Sequence, residues 1–125
     1  MAKLLSVFGY QGEPMGLPVR DVEAAVPFYV DMMGFTLVEM RDEPVKTAVL
    51  ERDGIQIAVG ENGGDPEQDG CGFHTDDIAE LHNEFTASGV KPGEINLENG
   101  KDGSKFKAFF AVAPDGLCYW FGERQ

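Results

Sequence analysis

Two stretches of this chain carry the same order of residues, and that duplication limits the available folds more than any other feature. PVRDVEAAVPFYVDMMGF (18–35) and HTDDIAELHNEFTASGV (74–90) each run from a strand-like end through an aspartate into an apolar-periodic helix, an aromatic and a glycine. A displacement of 56 residues places Asp21 on Asp77, Val22 on Ile78, Ala25 on Leu81 and Tyr29 on Phe85; a one-residue gap then places Gly34 on Gly89. AVLERDGIQIAV (48–59) and FFAVAPDGLCYWF (109–121) repeat a strand, an Asp-Gly turn and a strand, with Asp53-Gly54 matching Asp115-Gly116. A duplicated supersecondary unit predicts a pseudo-symmetric fold whose halves lie side by side, with ligands favoured at the seam.

Local chemistry fills in each half. Met15, Leu17 and Val19 alternate as in a half-buried strand, and Pro18 places that strand at a sheet edge or makes it irregular. Asp21 is a good helix N-cap, followed by apolar residues on one side; Pro27 then kinks or divides the helix, and Gly34 ends it. FTLVEM (35–40) and TAVLE (47–51) read as strands around a charged turn, and Asp53-Gly54 leads into the strand of Ile55, Ile57 and Val59. ENGGDPEQDG (61–70) is acidic and rich in turn formers, as a linker is. In the second half Cys71, Phe73 and Thr75 face one way and Gly70, Gly72 and His74 the other. Asp77 caps the next helix with Glu80 three residues on, GEINLENGKDGSK (93–105) reads as loop, and FKAFFAV and LCYWF close the chain as strands. Each half is strand, helix and three strands, so the expected fold is α+β, with helices on the outer face of curved sheets.

At 125 residues the chain is expected to form a single domain, 1–125, with module one at about 1–61, a linker at about 62–69 and module two at about 70–125. No apolar run reaches membrane-spanning length, and MAKLLSVFGYQG lacks a signal-peptide core, so the reading is cytoplasmic, with no membrane partner. Cys71 and Cys118 lack metal-ligand spacing and are expected to be free thiols. A net charge of −12 disfavours nucleic acid and favours cations near any cleft.

VRDVEAAVPFYVDMMGF, the helix beginning at Asp77-Ile78 and ending at Gly89-Val90, and FFAVAPDGLCYWF together resemble the vicinal oxygen chelate superfamily of glyoxalase I, bleomycin-resistance proteins and extradiol dioxygenases. The resemblance implies two tandem βαβββ modules forming a curved mixed sheet that encloses a cup. In enzymes of this family four side chains, from the first and last strand of each half, hold a divalent metal. The corresponding positions here read Pro14, Ala58, Gly70 and Trp120, and none of these side chains supplies a donor suited to Mn, Fe, Ni or Zn. Glu13, Gln56 and His74 lie near enough in sequence to build a partial site only through a shift of register.

The resemblance therefore implies a metal-free cup lined by Gln56, His74, Cys118 and Trp120, sequestering an aromatic or cationic small molecule, with no cofactor. Trp120 puts a large aromatic where a ligand would be, a surface on which flat or cationic groups stack. No catalytic residue is assigned; His74, titratable and facing the cup, is the candidate if one exists. Cys118 shares the Trp120 face but has no base beside it in sequence. His82, at the edge of the helix's apolar side, is read as a packing residue. The alternative is a divalent-metal-dependent lyase, isomerase or dioxygenase with displaced ligands, using a transition metal as a Lewis acid. By analogy with the family, a homodimer is expected.

Overall fold

The computed structural model describes residues 2–10 and 13–125; Met1, Gln11 and Gly12, part of the amino-terminal stretch read above, lie outside the described residues. Nine strands are present among them: β1 (Leu4–Gly9), β2 (Leu17–Pro18), β3 (Thr36–Arg41), β4 (Thr47–Arg52), β5 (Ile55–Gly60), β6 (Gly70–Thr75), β7 (Asn96–Asn99), β8 (Lys105–Val112) and β9 (Cys118–Arg124). The α-helices are α1 (Val22–Pro27) and α2 (Ile78–Ser88). Strands β2-β5-β4-β3 form one sheet and β1-β6-β9-β8-β7 the other. Without β1 the two orders are the same: in each, the strand before the helix pairs parallel with the last strand, and the other pairs are antiparallel. The duplication in sequence is a duplication of topology. Among the described residues no helix is long and apolar enough to cross a membrane.

Local signals in the sequence explain the helices. Asp21 accepts from the Ala24 amide at 3.2 Å and Asp77 from the Glu80 amide at 3.0 Å, each capping orphan N–H groups of the first turn. Pro27 ends α1, and the chain continues through one π turn, Phe28–Met32. Gly89 adopts φ 100° at the end of α2, letting the Val90 amide reach back to the Phe85 carbonyl at 2.9 Å. Asp53 and Gly54 both take positive φ, as the two-residue hairpin between β4 and β5 requires.

Two elements correct the sequence reading. β1 extends the second module's sheet from the amino terminus, pairing antiparallel with β6, and a register shift between Leu4 and Ser6 breaks the alternation that would have announced it. β7 lies inside the stretch read as loop; Asn-Leu-Glu-Asn has no apolar period, and pairing with β8 alone makes it a strand. In addition, Pro14–Gly16 forms a 3-10 turn before β2, so the strand expected over 15–19 is reduced to Leu17–Pro18 at the sheet edge.

The core between helices and sheets is aromatic. Phe73, Phe121 and Phe109 stack in a row at 5.2 Å spacings, and Phe85 of α2 meets Phe121 edge-on at 5.0 Å. Tyr29 from module one and Tyr119 from module two are fully buried and join hydroxyl to hydroxyl at 2.5 Å, each satisfying the other's polar atom in the seam.

Candidate functional site

Period-two alternation sends Tyr119 and Phe121 of β9 into the core and Cys118, Trp120 and Gly122 to the opposite face, away from α2. The parallel register sets Gly70 beside Cys118, Gly72 beside Trp120 and His74 beside Gly122. β8 adds Phe106, Ala108, Phe110 and Val112 to this face, and β1 sets Phe8 opposite Gly72. His74, Cys118 and Trp120, all singled out in the sequence, are thus brought together.

Three glycines on this face make room for three rings. A Cβ on Gly70 would lie 2.9 Å from Cε2 of Tyr10, one on Gly72 would lie 2.2 Å from Cζ of Phe8, and one on Gly122 would lie 2.1 Å from Cη2 of Trp120. Phe8, His74, Phe106 and Trp120 form one cluster: Trp120 has the other three centroids at 5.8, 5.5 and 5.6 Å, and His74 lies 5.5 Å from both Phe8 and Phe106. Trp120 Nε1 donates to Glu98 Oε1 at 3.2 Å, which fixes the indole in its plane. Phe8, Tyr10 and Phe110 remain 41, 42 and 45% exposed, so the cluster is a surface and not a core. At its His74 end a groove of about 440 Å³ is bounded by His74 and Phe106 with Asp76, Glu123 and Arg124.

Sequence reasoning missed Phe8, Tyr10, Phe106 and Glu98. The available signal was the run of same-face glycines, which marks where neighbouring side chains lie flat on the backbone.

Gln56 is placed elsewhere. It stands on β5 in the four-stranded sheet, exposed, and Nε2 donates to Glu51 Oε1 at 3.0 Å. Glu123 turns to the helix side, where it accepts from the Ile78 amide at 2.9 Å, and His82 Nε2 bonds the Gly93 carbonyl at 2.9 Å while its ring meets Phe109 edge-on. Both are structural.

The four positions at which the family carries metal ligands do not fit a metal. Pro14 lies in the 3-10 turn, which packs on β5; Ala58 is buried; Gly70 is closed by the Cys118 carbonyl oxygen, 1.8 Å from where a Cβ would stand; Trp120 belongs to the ring cluster. Among the described residues no three His, Cys, Asp or Glu side chains are grouped to hold an ion.

Burial, with the Arg124 charge second, pushes the His74 imidazole below its usual range. Burial raises the Cys118 thiol, so it is not an activated nucleophile. It also raises the Tyr10 phenol, with the Cys118 thiol the next contributor. Because the folded pKa of His74 lies below the unfolded value of about 6.5, the unfolded chain takes up this proton first. His74's contribution to stability is whole above about pH 6.5 and is lost as the pH falls to the folded pKa. Thermal midpoints followed from neutral pH into acid should therefore fall less for His74→Gln than for the wild type; equal slopes would show that His74 is not held neutral by the fold.

Two βαβββ modules of matching strand order, joined in one chain, define a class of α+β proteins in which chemistry is carried by the sheet face and not by the fold. A sequence model of the Glyoxalase/Bleomycin resistance protein/Dioxygenase superfamily matches residues 12–118, and the chain belongs to that superfamily. Among solved structures it is similar to a superfamily member from Sphaerobacter thermophilus, at 26% identity and TM-score 0.63, over 86% of this chain and 92% of that one. It is also similar to a glyoxalase/bleomycin resistance protein/dioxygenase from Alicyclobacillus acidocaldarius, at 20% identity and TM-score 0.66, over 87% of each chain. A third likeness is to an antibiotic binding protein from a Streptomyces species, at 20% identity and TM-score 0.68, over 88% of this chain and 92% of that one. The last two likenesses show the fold alone. No curated protein matches the chain in sequence.

Proposed function

We propose that the protein is a metal-free small-molecule binding protein that holds a flat aromatic or cationic ligand against the Trp120 face. The observation that carries this reading is the partly exposed cluster of Phe8, His74, Phe106 and Trp120 beside a groove lined by Asp76, Glu123 and Arg124. Rings fixed by glycine-floored sites and by Glu98 lose little freedom when a ligand stacks on them. A chain of net charge −12 favours a cationic group on that ligand. His74, neutral and set among rings, supplies a hydrogen bond for orientation rather than an acid or base, and no nucleophile is assigned. Two unpaired thiols, Cys71 and Cys118, fit a reducing compartment such as the cytoplasm. The similar Streptomyces protein is described as antibiotic binding, which is consistent with capture without chemistry.

Trp120 is the only tryptophan in the chain, so its fluorescence reports this face alone. Titration with a planar aromatic cation of the acridinium type is expected to quench the emission saturably, and calorimetry on Trp120→Leu to show binding weakened roughly tenfold, the scale of one lost aromatic contact. Absence of saturable quenching by any planar cation would overturn the reading. So would a stoichiometric transition metal in protein purified without chelators, which would restore the lyase, isomerase or dioxygenase alternative.

The exposed Phe110 and Val112 continue the same face, and we expect a second copy of the chain to cover them in a homodimer. Light scattering should return the mass of two chains, and that of one for Val112→Asp.

A further inference from the structure

Strand period carries the Trp120 face past the ring cluster. On β9 the next residues of that face are Gly122 and Arg124, and the antiparallel register sets Arg124 opposite Phe106 of β8 and Phe106 opposite Glu98 of β7. Phe106 therefore lies in a cross-strand row with a carboxylate on one side and a guanidinium on the other, their backbones two strand spacings or about 10 Å apart. Opposite charges on adjacent strands stabilise a sheet by direct contact, whereas here an aromatic ring stands between them.

The two charges are unequally used. Glu98 Oε1 accepts from the Trp120 indole at 3.2 Å. Arg124 is exposed and borders the groove of about 440 Å³ beside His74, and among the described residues no ion pair or hydrogen bond engages its guanidinium. Its charge acts on His74 only after burial, and it is the least of the influences on Asp102, which Ser104 holds through its hydroxyl and amide. The two acids of the groove are committed to backbone: Asp76 accepts from the Lys3 amide at 2.8 Å and Glu123 from the Ile78 amide at 2.9 Å. Arg124 is thus the group with open donors where the rings meet the groove.

Resting on the reading that a flat ring stacks beside Trp120, we propose that the ligand of this face is an aromatic zwitterion, its ring on Phe106, its carboxylate on Arg124 and its cationic group on the Glu98 side. A guanidinium presents a planar fork that matches a carboxylate. A simple aromatic anion would be repelled by a chain of net charge −12 and would meet Glu98 across the ring. A simple aromatic cation would leave Arg124 without a partner and bring a like charge beside it. A zwitterion has no net charge for the chain to repel, and its two ends match the row.

Calorimetry at fixed ionic strength, with 1-methylquinolinium-6-carboxylate and its 6-carboxamide, tests the assignment, because the second probe keeps the ring and its positive charge and lacks the negative one. The carboxylate is expected to bind about fivefold more tightly, the scale of one partly exposed ion pair, and added salt should narrow the difference. Arg124→Gln should abolish the advantage of the carboxylate without weakening the carboxamide. Glu98→Gln, which keeps an acceptor for the indole, should weaken both probes alike. Equal affinities in the wild type, an advantage that survives Arg124→Gln, or Glu98→Gln binding both probes as the wild type does would overturn the proposal. Trp120→Leu reads the stacking separately: if it weakens the carboxamide while the two probes bind the wild type equally, stacking stands and the zwitterion falls, and binding of neither probe removes both.

Discussion

Arg52→Met is expected to lower unfolding stability by about 3–5 kcal/mol, the scale for breaking a buried ion pair on one side. Arg52 is 7% exposed, and its guanidinium holds three elements at once. Nη1 donates to the Met33 carbonyl at 2.8 Å; Nη2 donates to the Ala2 carbonyl at 2.9 Å and to Glu84 Oε2 at 2.8 Å. β4 of module one is thereby fastened to α2 of module two, and both to the residues that lead into β1. Glu84 returns the contact, accepting from the Ala2 amide at 2.8 Å, while Asp53 accepts from the Leu4 amide at 2.9 Å. Methionine keeps much of the packed stem but leaves a carboxylate and two carbonyls without their donor. Urea denaturation should show a lower midpoint at unchanged slope, and Glu84→Gln, which removes charge but not shape, should cost less. A loss below about 1 kcal/mol for Arg52→Met would place it with ordinary surface pairs. A second readout follows from the geometry. Loosening Ala2 to Leu4 frees the strand that carries Phe8 and Tyr10, so Trp120 emission should shift before global unfolding.

That network also shows which parts of the molecule were legible in the sequence. Asp21, Asp77, Gly89 and Asp53-Gly54 act on backbone groups within a few residues of themselves, so their roles are written locally and the structure agrees with them. Arg52 gives no such signal. It ends a strand before a turn, where an exposed charge is the ordinary expectation, and it is buried by Met33, Ala2 and Glu84 of α2, all distant in sequence. β1 was illegible for the same reason: its partner β6 lies across the whole first module, and a bulge interrupts its alternation. The aromatic face was half legible. His74 and Trp120 were implied by the family resemblance and Cys118 by its place on the Trp120 strand face, but Phe8 and Tyr10 reach the face only because β1 joins the second sheet. Gln56, matched to Cys118 by the repeat, stands on the other sheet beside Glu51. Pseudo-symmetry relates the two positions without making them neighbours.

Gly70→Ala and Gly72→Ala, two residues apart on one strand, are expected to fail in different ways. At Gly70 an added Cβ would stand 1.8 Å from the Cys118 carbonyl oxygen, and only movement of β9 relieves that contact. Overpacking of side chains costs about 1–3 kcal/mol, and a collision with backbone should exceed the upper part of that range. At Gly72 the three atoms nearest the added Cβ all belong to the Phe8 ring, which is 41% exposed and can swing into solvent. Replacing a strand glycine recovers roughly 0.5–1 kcal/mol of chain entropy, so the net stability change at Gly72 should be near zero. Ligand capture, however, should suffer as Phe8 leaves Trp120. Chemical denaturation and Trp120 titration on the two variants separate the effects: Gly70→Ala loses stability, and Gly72→Ala loses binding. The reverse pattern would show that β6 and β9 can part without penalty and that the rings do not form the binding surface. The same steric fact bears on metal chemistry, because Gly70 occupies one of the four positions from which the superfamily's metal-dependent members extend a ligand. A histidine introduced there carries the same Cβ into the same carbonyl. Gly70→His should therefore be at least as destabilised as Gly70→Ala and gain no stoichiometric metal, whereas metal uptake by a stably folded Gly70→His protein would show that the aromatic face covers a site still able to open.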